Sequence, residues 1–140
     1  MLCVTSSGIA SLILTSWTSH SMLGIPIEIY ENSVSTIKKN SLKGELLRKT
    51  RLVIWEEVPM QHRFASEAID RTLRDFMDQP DLHFSGITVT FGGDFQQTLS
   101  IIPKGTKEQI IGACIQRSQL WRHIKVLHLT ENIQVDPNDQ

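Results

Sequence analysis

Cysteine is scarce in this 140-residue chain: Cys3 and Cys114 stand alone, at no spacing that suggests a metal site or a redox motif. Both thiols are expected as small core residues of a protein kept in a reducing compartment. The histidines, His20, His62, His83, His123 and His128, are scattered, and nothing in their spacing resembles a zinc site. An excess of one charge is also missing, since 14 basic and 15 acidic residues leave a net charge of −1. A complete nucleic-acid-binding domain is more often basic, so any such role must rest on local clusters. No apolar run approaches the ~20 residues that cross a bilayer. The amino terminus lacks the basic start and cleavage pattern of a secretory signal, so no membrane partner is expected. Internal repeats and low-complexity tracts are absent as well.

What is present is a globular composition, 40% hydrophobic and 21% charged, on a length that supports one domain with a real core. The chain starts apolar, Met1 to Val4, as if cut within a buried strand. Thr5 to Ser7 then cap a short buried helix over Gly8 to Leu14. Ser16 to Ser21 break that helix, and Gly24 to Asn40 read as a long connecting loop. Leu42 to Lys49 return to helical spacing with Leu42, Leu46 and Leu47 on one face. Arg63 to about Asp78 form the clearest helix: Ala65, Ala68, Ile69, Thr72, Leu73, Phe76 and Met77 make one stripe, with Glu67, Asp70, Arg71, Arg74 and Asp75 off it. Leu99 to Pro103 suggest an extended piece, Thr106 to Gln116 a helix, Leu120-Trp121 a small turn, and Val126 to Leu129 a strand. Helices alternating with strands favour an α/β layered domain.

Two strands stand out because each runs into polar, acid-containing residues. Leu52-Val53-Ile54-Trp55 leads into Glu56-Glu57-Val58-Pro59, and Ile87-Thr88-Val89-Thr90-Phe91 leads into Gly92-Gly93-Asp94-Phe95-Gln96-Gln97. Short β-branched and aromatic runs of this kind read as strands buried on both faces in a parallel sheet. Acids just past such strands lie at the carboxyl edge, where open α/β folds place ligands. Adjacent acids there suit a nucleotide hydrolase, with one carboxylate for a hydrated magnesium ion and the next for the attacking water. A polar amide at the second strand end, Gln96 or Gln97, suits the terminal phosphate. On spacing alone, solvated acids opening a loop before Pro59 are the plainer reading. A metal-dependent hydrolase built from Glu56, Glu57 and Asp94 is a third, weaker one.

The ordered blocks are more specific than their parts. Thr5 to Ala10, Thr18 to Ser21, Leu52 to Met60, Ala68 to Asp75, Gly92 to Gln97 and Ile102 to Gly105 together resemble the PIF-type DNA helicases, including the copies in helitron-like transposable elements. The resemblance covers about Met1 to Gln134, leaving 135–140 as a polar tail. It implies an incomplete RecA-like (P-loop NTPase) domain, α/β with a mostly parallel sheet flanked by helices. The activity implied is an ATP-dependent 5′-to-3′ helicase on single-stranded DNA, serving repair, recombination and telomere maintenance. ATP would be the substrate and Mg2+ the cofactor; the location would be nuclear in a eukaryote and otherwise intracellular. By this resemblance Glu56 is the metal ligand, Glu57 the water-activating acid, and Gln97 the catalytic, nucleotide-contacting glutamine. Thr5, Ser6, Thr18 and His20 fall in the DNA-contacting segments.

Four departures qualify the match. No GxxxxGK-Ser/Thr phosphate loop occurs in the sequence, and it is expected upstream in a full-length parent, together with a second motor domain. Glu56 stands where the family usually has Asp, which extends the carboxylate by about 1.5 Å. Ser16-Trp17 replaces an expected glycine pair. Gln134 stands where an arginine is usual, and an amide does not replace a guanidinium. The isolated chain is therefore expected to be inactive as an ATPase. The alternative is a non-enzymatic remnant or weak single-strand binder, with Trp17 for stacking and Lys38, Lys39, Lys43, Arg48, Lys49 and Arg51 for phosphates. A solvated helix face is the plainer account of those cations.

Overall fold

A computed structural model of the chain describes residues 1–13, 16–95 and 104–131. Four strands form one all-parallel sheet: β1 (Leu2–Thr5), β2 (Trp17–Thr18), β3 (Leu52–Glu56) and β4 (Thr88–Phe91), in the order β2-β1-β3-β4. Five α-helices accompany it among the described residues: α1 (Gly8–Ile13), α2 (Ser19–Leu23), α3 (Leu42–Lys49), α4 (Arg63–Phe76) and α5 (Lys107–Gly112). Parallel strands need crossovers, and helices in the connections supply them. Register decides what meets at the carboxyl edge. Thr5, the last residue of β1, lies opposite Thr18 on one side and Glu56 on the other.

The expected α/β layered fold is present, and α4 explains most of the core. Ala65, Ala68, Ile69, Thr72, Leu73 and Phe76 are all buried on its inner stripe, at the three- and four-residue spacing of one helical face. They join Val4, Val53 and Trp55 from the sheet and Leu23 and Leu47 from α2 and α3. Burying a large side chain such as Leu73 or Leu47 stabilises by about 2 kcal/mol. The loop between α2 and α3 contains no helix or strand, as expected, and is tied to α4: the Ser35 amide donates to Thr72 Oγ1 at 2.9 Å and Arg71 donates to the Ser33 carbonyl.

Several expectations fail, each for a tertiary reason. Val126 to Leu129 do not form a strand; Leu129 is fully exposed, and no strand among the described residues pairs with this segment to complete its backbone hydrogen bonds. β4 is not buried on both faces, because it is the edge of the described sheet and Thr88 and Thr90 face outward. Ser16 to Ser21 do more than break a helix, since they supply β2 and the start of α2. Helix α1 is not a buried helix: Ile9 and Leu12 are exposed. Of the three leucines on α3 only Leu47 is buried, while Leu42 and Leu46 are exposed. Helix α4 stops at Phe76, with Asp78 already in a left-handed conformation at φ 52°. Helix α5 ends at Gly112, and a 3-10 turn over Ile115–Arg117 replaces its expected last turn. The Leu120-Trp121 turn is a 3-10 helix over Gln119–His123. Cys3 and Cys114 are half-buried and unpaired rather than core residues. Leu99 to Pro103 lie outside the described residues.

Asp70 is the notable exception to the stripe on α4. Expected off the apolar face, it is 2% exposed and sits under the 3-10 turn that leads into β4. Its carboxylate accepts from the Phe84 amide at 2.6 Å and from Arg74, with His83 Nδ1 at 3.3 Å. Burial pushes this carboxyl up, but Arg74, the Phe84 amide and His83 together outweigh burial and hold it below the ordinary carboxylate range. Phe84 and Ser85 have left-handed backbone at φ 50° and 51°, with the Phe84 amide bonded to Asp70 and the Ser85 hydroxyl donating to the Leu73 carbonyl.

Candidate functional site

The site grows from the ends of β1, β2 and β3. The ladder runs one step past β1, since the Ser6 amide donates to the Glu56 carbonyl at 3.1 Å. Beyond it the chain turns into α1, where the Ser7 hydroxyl caps by accepting from the Ala10 amide at 3.3 Å. Thr18 ends β2 and caps α2 by accepting from the Ser21 amide at 3.3 Å. Three short polar turns are thereby fixed along one edge.

Glu56 and Glu57 leave the sheet toward different neighbours, as expected of adjacent residues. Glu57 has a left-handed backbone, φ 57°, which costs about 1 kcal/mol for a residue with a Cβ. That turn brings its carboxylate toward β1, with Thr5 Oγ1 at 3.5 Å. Glu56 instead lies against the end of β4. A Cβ added to Gly92 would land on the Glu56 carboxylate, so glycine there leaves the acid its place. The Gly92 segment is stitched to the same turn: its amide donates to the Trp55 carbonyl at 2.8 Å and its carbonyl accepts from Val58 at 3.2 Å. Trp55 is 1% exposed and packs edge-on against Phe91, centroids 5.8 Å apart.

The sequence-expected residues are thus partly gathered. Thr5, Ser6, Thr18, His20, Glu56 and Glu57 all stand on or beside the carboxyl edge. Thr5 differs from the others in burial. Its side chain is fully buried at the end of a central strand, and its hydroxyl serves the Ser7 amide and Glu57. Gln97 and Gln134 lie outside the described residues. Asp94 is exposed, and among the described residues no three His, Cys, Asp or Glu side chains gather to hold a metal ion, so the three-carboxylate hydrolase has no site. The donor type at Glu56, a half-buried carboxylate, nonetheless fits magnesium, which takes one or two carboxylates beside phosphate oxygens.

Three of the six cations read as possible phosphate contacts are engaged. Lys39 pairs with Asp78 at 3.3 Å and Lys49 with Glu45 at 2.8 Å, both exposed pairs of small energetic weight. Lys43 donates to the Ser21 carbonyl at 2.7 Å. Lys38 and Lys43 line an open groove of about 520 Å³ with His20. Trp17 is 61% exposed on β2, beside Thr18.

Gln61 is the residue that sequence reasoning missed. Its Oε1 accepts from Ser6 Oγ at 3.0 Å and from Ser19 Oγ at 3.2 Å, and its Nε2 meets His20 Nε2 at 3.3 Å. Ser6 Oγ in turn accepts from the Trp55 indole N–H at 3.2 Å. The only signal in the sequence is its position, a polar residue directly after the Glu56 to Met60 block.

Comparison with known proteins agrees with this architecture. The PIF1-like helicase family model matches residues 1–140. A Pif1 helicase from Bacteroides, solved with ADP-AlF3 and single-stranded DNA, is 27% identical with a TM-score of 0.70, over 86% of this chain and 29% of that one. The Bacteroides Pif1 bound to single-stranded DNA is 28% identical with a TM-score of 0.70, over 87% and 30%. The Candida albicans Pif1 helicase, 24% identical with a TM-score of 0.69 over 86% and 26%, shares the fold. No curated protein sequence matches. The chain spans about three-tenths of the length of the Bacteroides helicases. Its parallel sheet flanked by helices is RecA-like, and the chain belongs to the PIF1-like helicase family.

Proposed function

We propose that this chain is part of the first RecA-like motor domain of an ATP-dependent 5′-to-3′ DNA helicase, with residues 1–134 as the motor portion. The observation that carries the reading is the shared row at the carboxyl edge: Thr5 stands between Thr18 and Glu56, so acids and DNA-segment residues meet on neighbouring strand ends. Glu56 would hold a magnesium ion, which when bound neutralises phosphate charge. Glu57 would orient the attacking water and take its proton, held in place by Thr5. Gln97 would contact the terminal phosphate. Ser6, Thr18 and His20 would lie along the single strand, with Thr5 acting behind them. The ssDNA and ADP-AlF3 complexes of the Bacteroides relatives support the choice of ligands. Roles in repair, recombination and telomere maintenance, and a nuclear location in a eukaryote, follow from the family in the same proposal.

The isolated 140-residue chain is proposed not to hydrolyse ATP, because its sequence holds no GxxxxGK-Ser/Thr loop to cradle the phosphates. An ATPase assay with single-stranded DNA should read no turnover. Steady hydrolysis that disappears in Glu57→Gln would overturn that point. Single-strand contact is tested by the anisotropy of a labelled oligothymidylate, expected to bind weakly and to lose affinity steeply with salt. Absent or salt-insensitive binding would leave the non-enzymatic remnant.

A further inference from the structure

Gln61 joins segments 41 to 55 residues away, and the chemistry of its partners gives the joined hydrogen bonds a single direction. His20 Nδ1 lies 3.0 Å from the Ile25 carbonyl, which accepts only, so Nδ1 carries the proton. His20 Nε2 is then an acceptor, and the Gln61 NH2 donates to it. This orients the amide, with Oε1 toward the Ser6 and Ser19 hydroxyls. Ser6 donates to Gln61 and accepts from Trp55, so the chain runs from the Trp55 indole through Ser6 and Gln61 to His20 and Ile25. Ser19 and Trp55 are almost completely buried, whereas His20 is exposed. The network therefore has one end in the core, beside Glu56, and one end at the surface.

We propose that Gln61 is a positioning residue that couples His20, on the strand-contacting face, to Ser6 and Trp55 at the root of the acidic strand end. The coupling rests on the reading of that edge proposed above. A side-chain amide offers a donor and an acceptor together, which neither a carboxylate nor an aliphatic side chain does. When His20 Nε2 gains a proton or turns to a phosphate, it no longer accepts from Gln61. The amide must then rotate, presenting its NH2 to Ser6 and Ser19, whose hydroxyls turn to accept. Ser6 Oγ is now shared between two donors, and the Trp55 indole feels the change. Trp55 is covalently next to Glu56 and its carbonyl holds Gly92, so both flanks of the acidic end are reached. The charged groups about the network are Lys38 and Lys43 in the groove beside His20, and Glu57 on the far side at Thr5.

The test is NMR on the 140-residue chain, following the His20 ring nitrogens and the Trp55 indole N–H through a pH titration in wild type, Gln61→Leu and Gln61→Glu. In wild type the indole resonance should move with the His20 midpoint, which is separated from that of His62 by direct observation of both rings. In Gln61→Leu the indole should no longer follow the His20 ring. In Gln61→Glu the new carboxylate should raise the His20 midpoint. An indole that follows His20 equally in Gln61→Leu, or ignores it in wild type, overturns the coupling. If Gln61→Leu does not fold, an unchanged His20 midpoint in Gln61→Glu overturns it instead. Adding a ten-residue oligothymidylate to wild type separates the two readings. Joint movement of His20 and Trp55 supports contact at the edge, and no movement removes the single-strand reading while the pH arm still judges Gln61.

Discussion

Two polar networks hold this molecule together, and they differ in what they leave open. The Asp70 network, under the turn before β4, is ionic and closed: a buried carboxylate is met by Arg74, His83 and the Phe84 amide. Arg74 comes from the next turn of the same helix, so one of its three partners is local. The Gln61 network, at the opposite end of the strands, is neutral, crosses from β3 to β1 and α2, and reaches the surface at His20. A closed ionic cluster fixes one backbone arrangement. A neutral network whose inner members, Ser6, Gln61 and His20, each donate and accept has a second arrangement available by turning one amide. The first is the anchor of the fold and the second the part suited to respond.

The sharpest way to break this comparison is to disarm the anchor. Asp70→Asn should lower stability by about 3 kcal/mol in urea unfolding, because Arg74 and the Phe84 amide lose a buried charged acceptor. The pH dependence follows from a carboxyl held below its ordinary value of 3.8. The advantage of wild type over Asp70→Asn should be full above that value and vanish as pH falls through the depressed one. Oligonucleotide binding per folded molecule should be unchanged, and a parallel loss of binding would erase the distinction between the networks.

Next in size is Gly93→Ala. Gly93 has φ 146°, and an added Cβ would stand 2.6 Å from the Pro59 ring, so about 2 kcal/mol should be lost on unfolding. Gln61→Leu should cost about 1.5 kcal/mol, since the buried Ser19 hydroxyl loses its acceptor while Ser6 keeps Trp55 and His20 keeps access to water. A loss as large as that of Asp70→Asn would make Gln61 a second anchor. The smallest effect belongs to His62, whose Nδ1 caps α4 by accepting from the Phe64 amide at 3.1 Å. Burial, then the charge of Arg63, push its imidazole below the ordinary 6.5, against the opposing pull of Glu67. A group that folds neutral stabilises fully above 6.5 and loses that contribution as pH falls toward its depressed value. A gentle decline in melting temperature that is absent in His62→Asn would check it.

How legible each part was follows from the range of the interaction that makes it. The α4 stripe, the strand over Leu52 to Trp55 and the helix over Leu42 to Lys49 depend on neighbours three or four residues away, or on a run of β-branched and aromatic residues. Val126 to Leu129 look as apolar as a strand, yet a strand exists only where a partner supplies its hydrogen bonds. Trp17-Thr18 look like a break, yet they become β2 because β1 offers its edge at Val4 and Thr5. Asp70 looks like one of five charges on a solvated face and is buried because the turn over His83–Gly86 closes on it.

The sequence by itself determined the family, the α/β alternation, and the acids at the end of β3, because ordered blocks and local periodicity are written along the chain. Tertiary structure alone decided that Thr5 lies between Thr18 and Glu56, that Thr5 is buried while His20 is exposed, and that one amide, Gln61, joins His20 to Ser6 and Ser19. The physical reason is that strand register and side-chain hydrogen bonds between residues 40 or more positions apart depend on how the whole sheet closes, which no local pattern encodes.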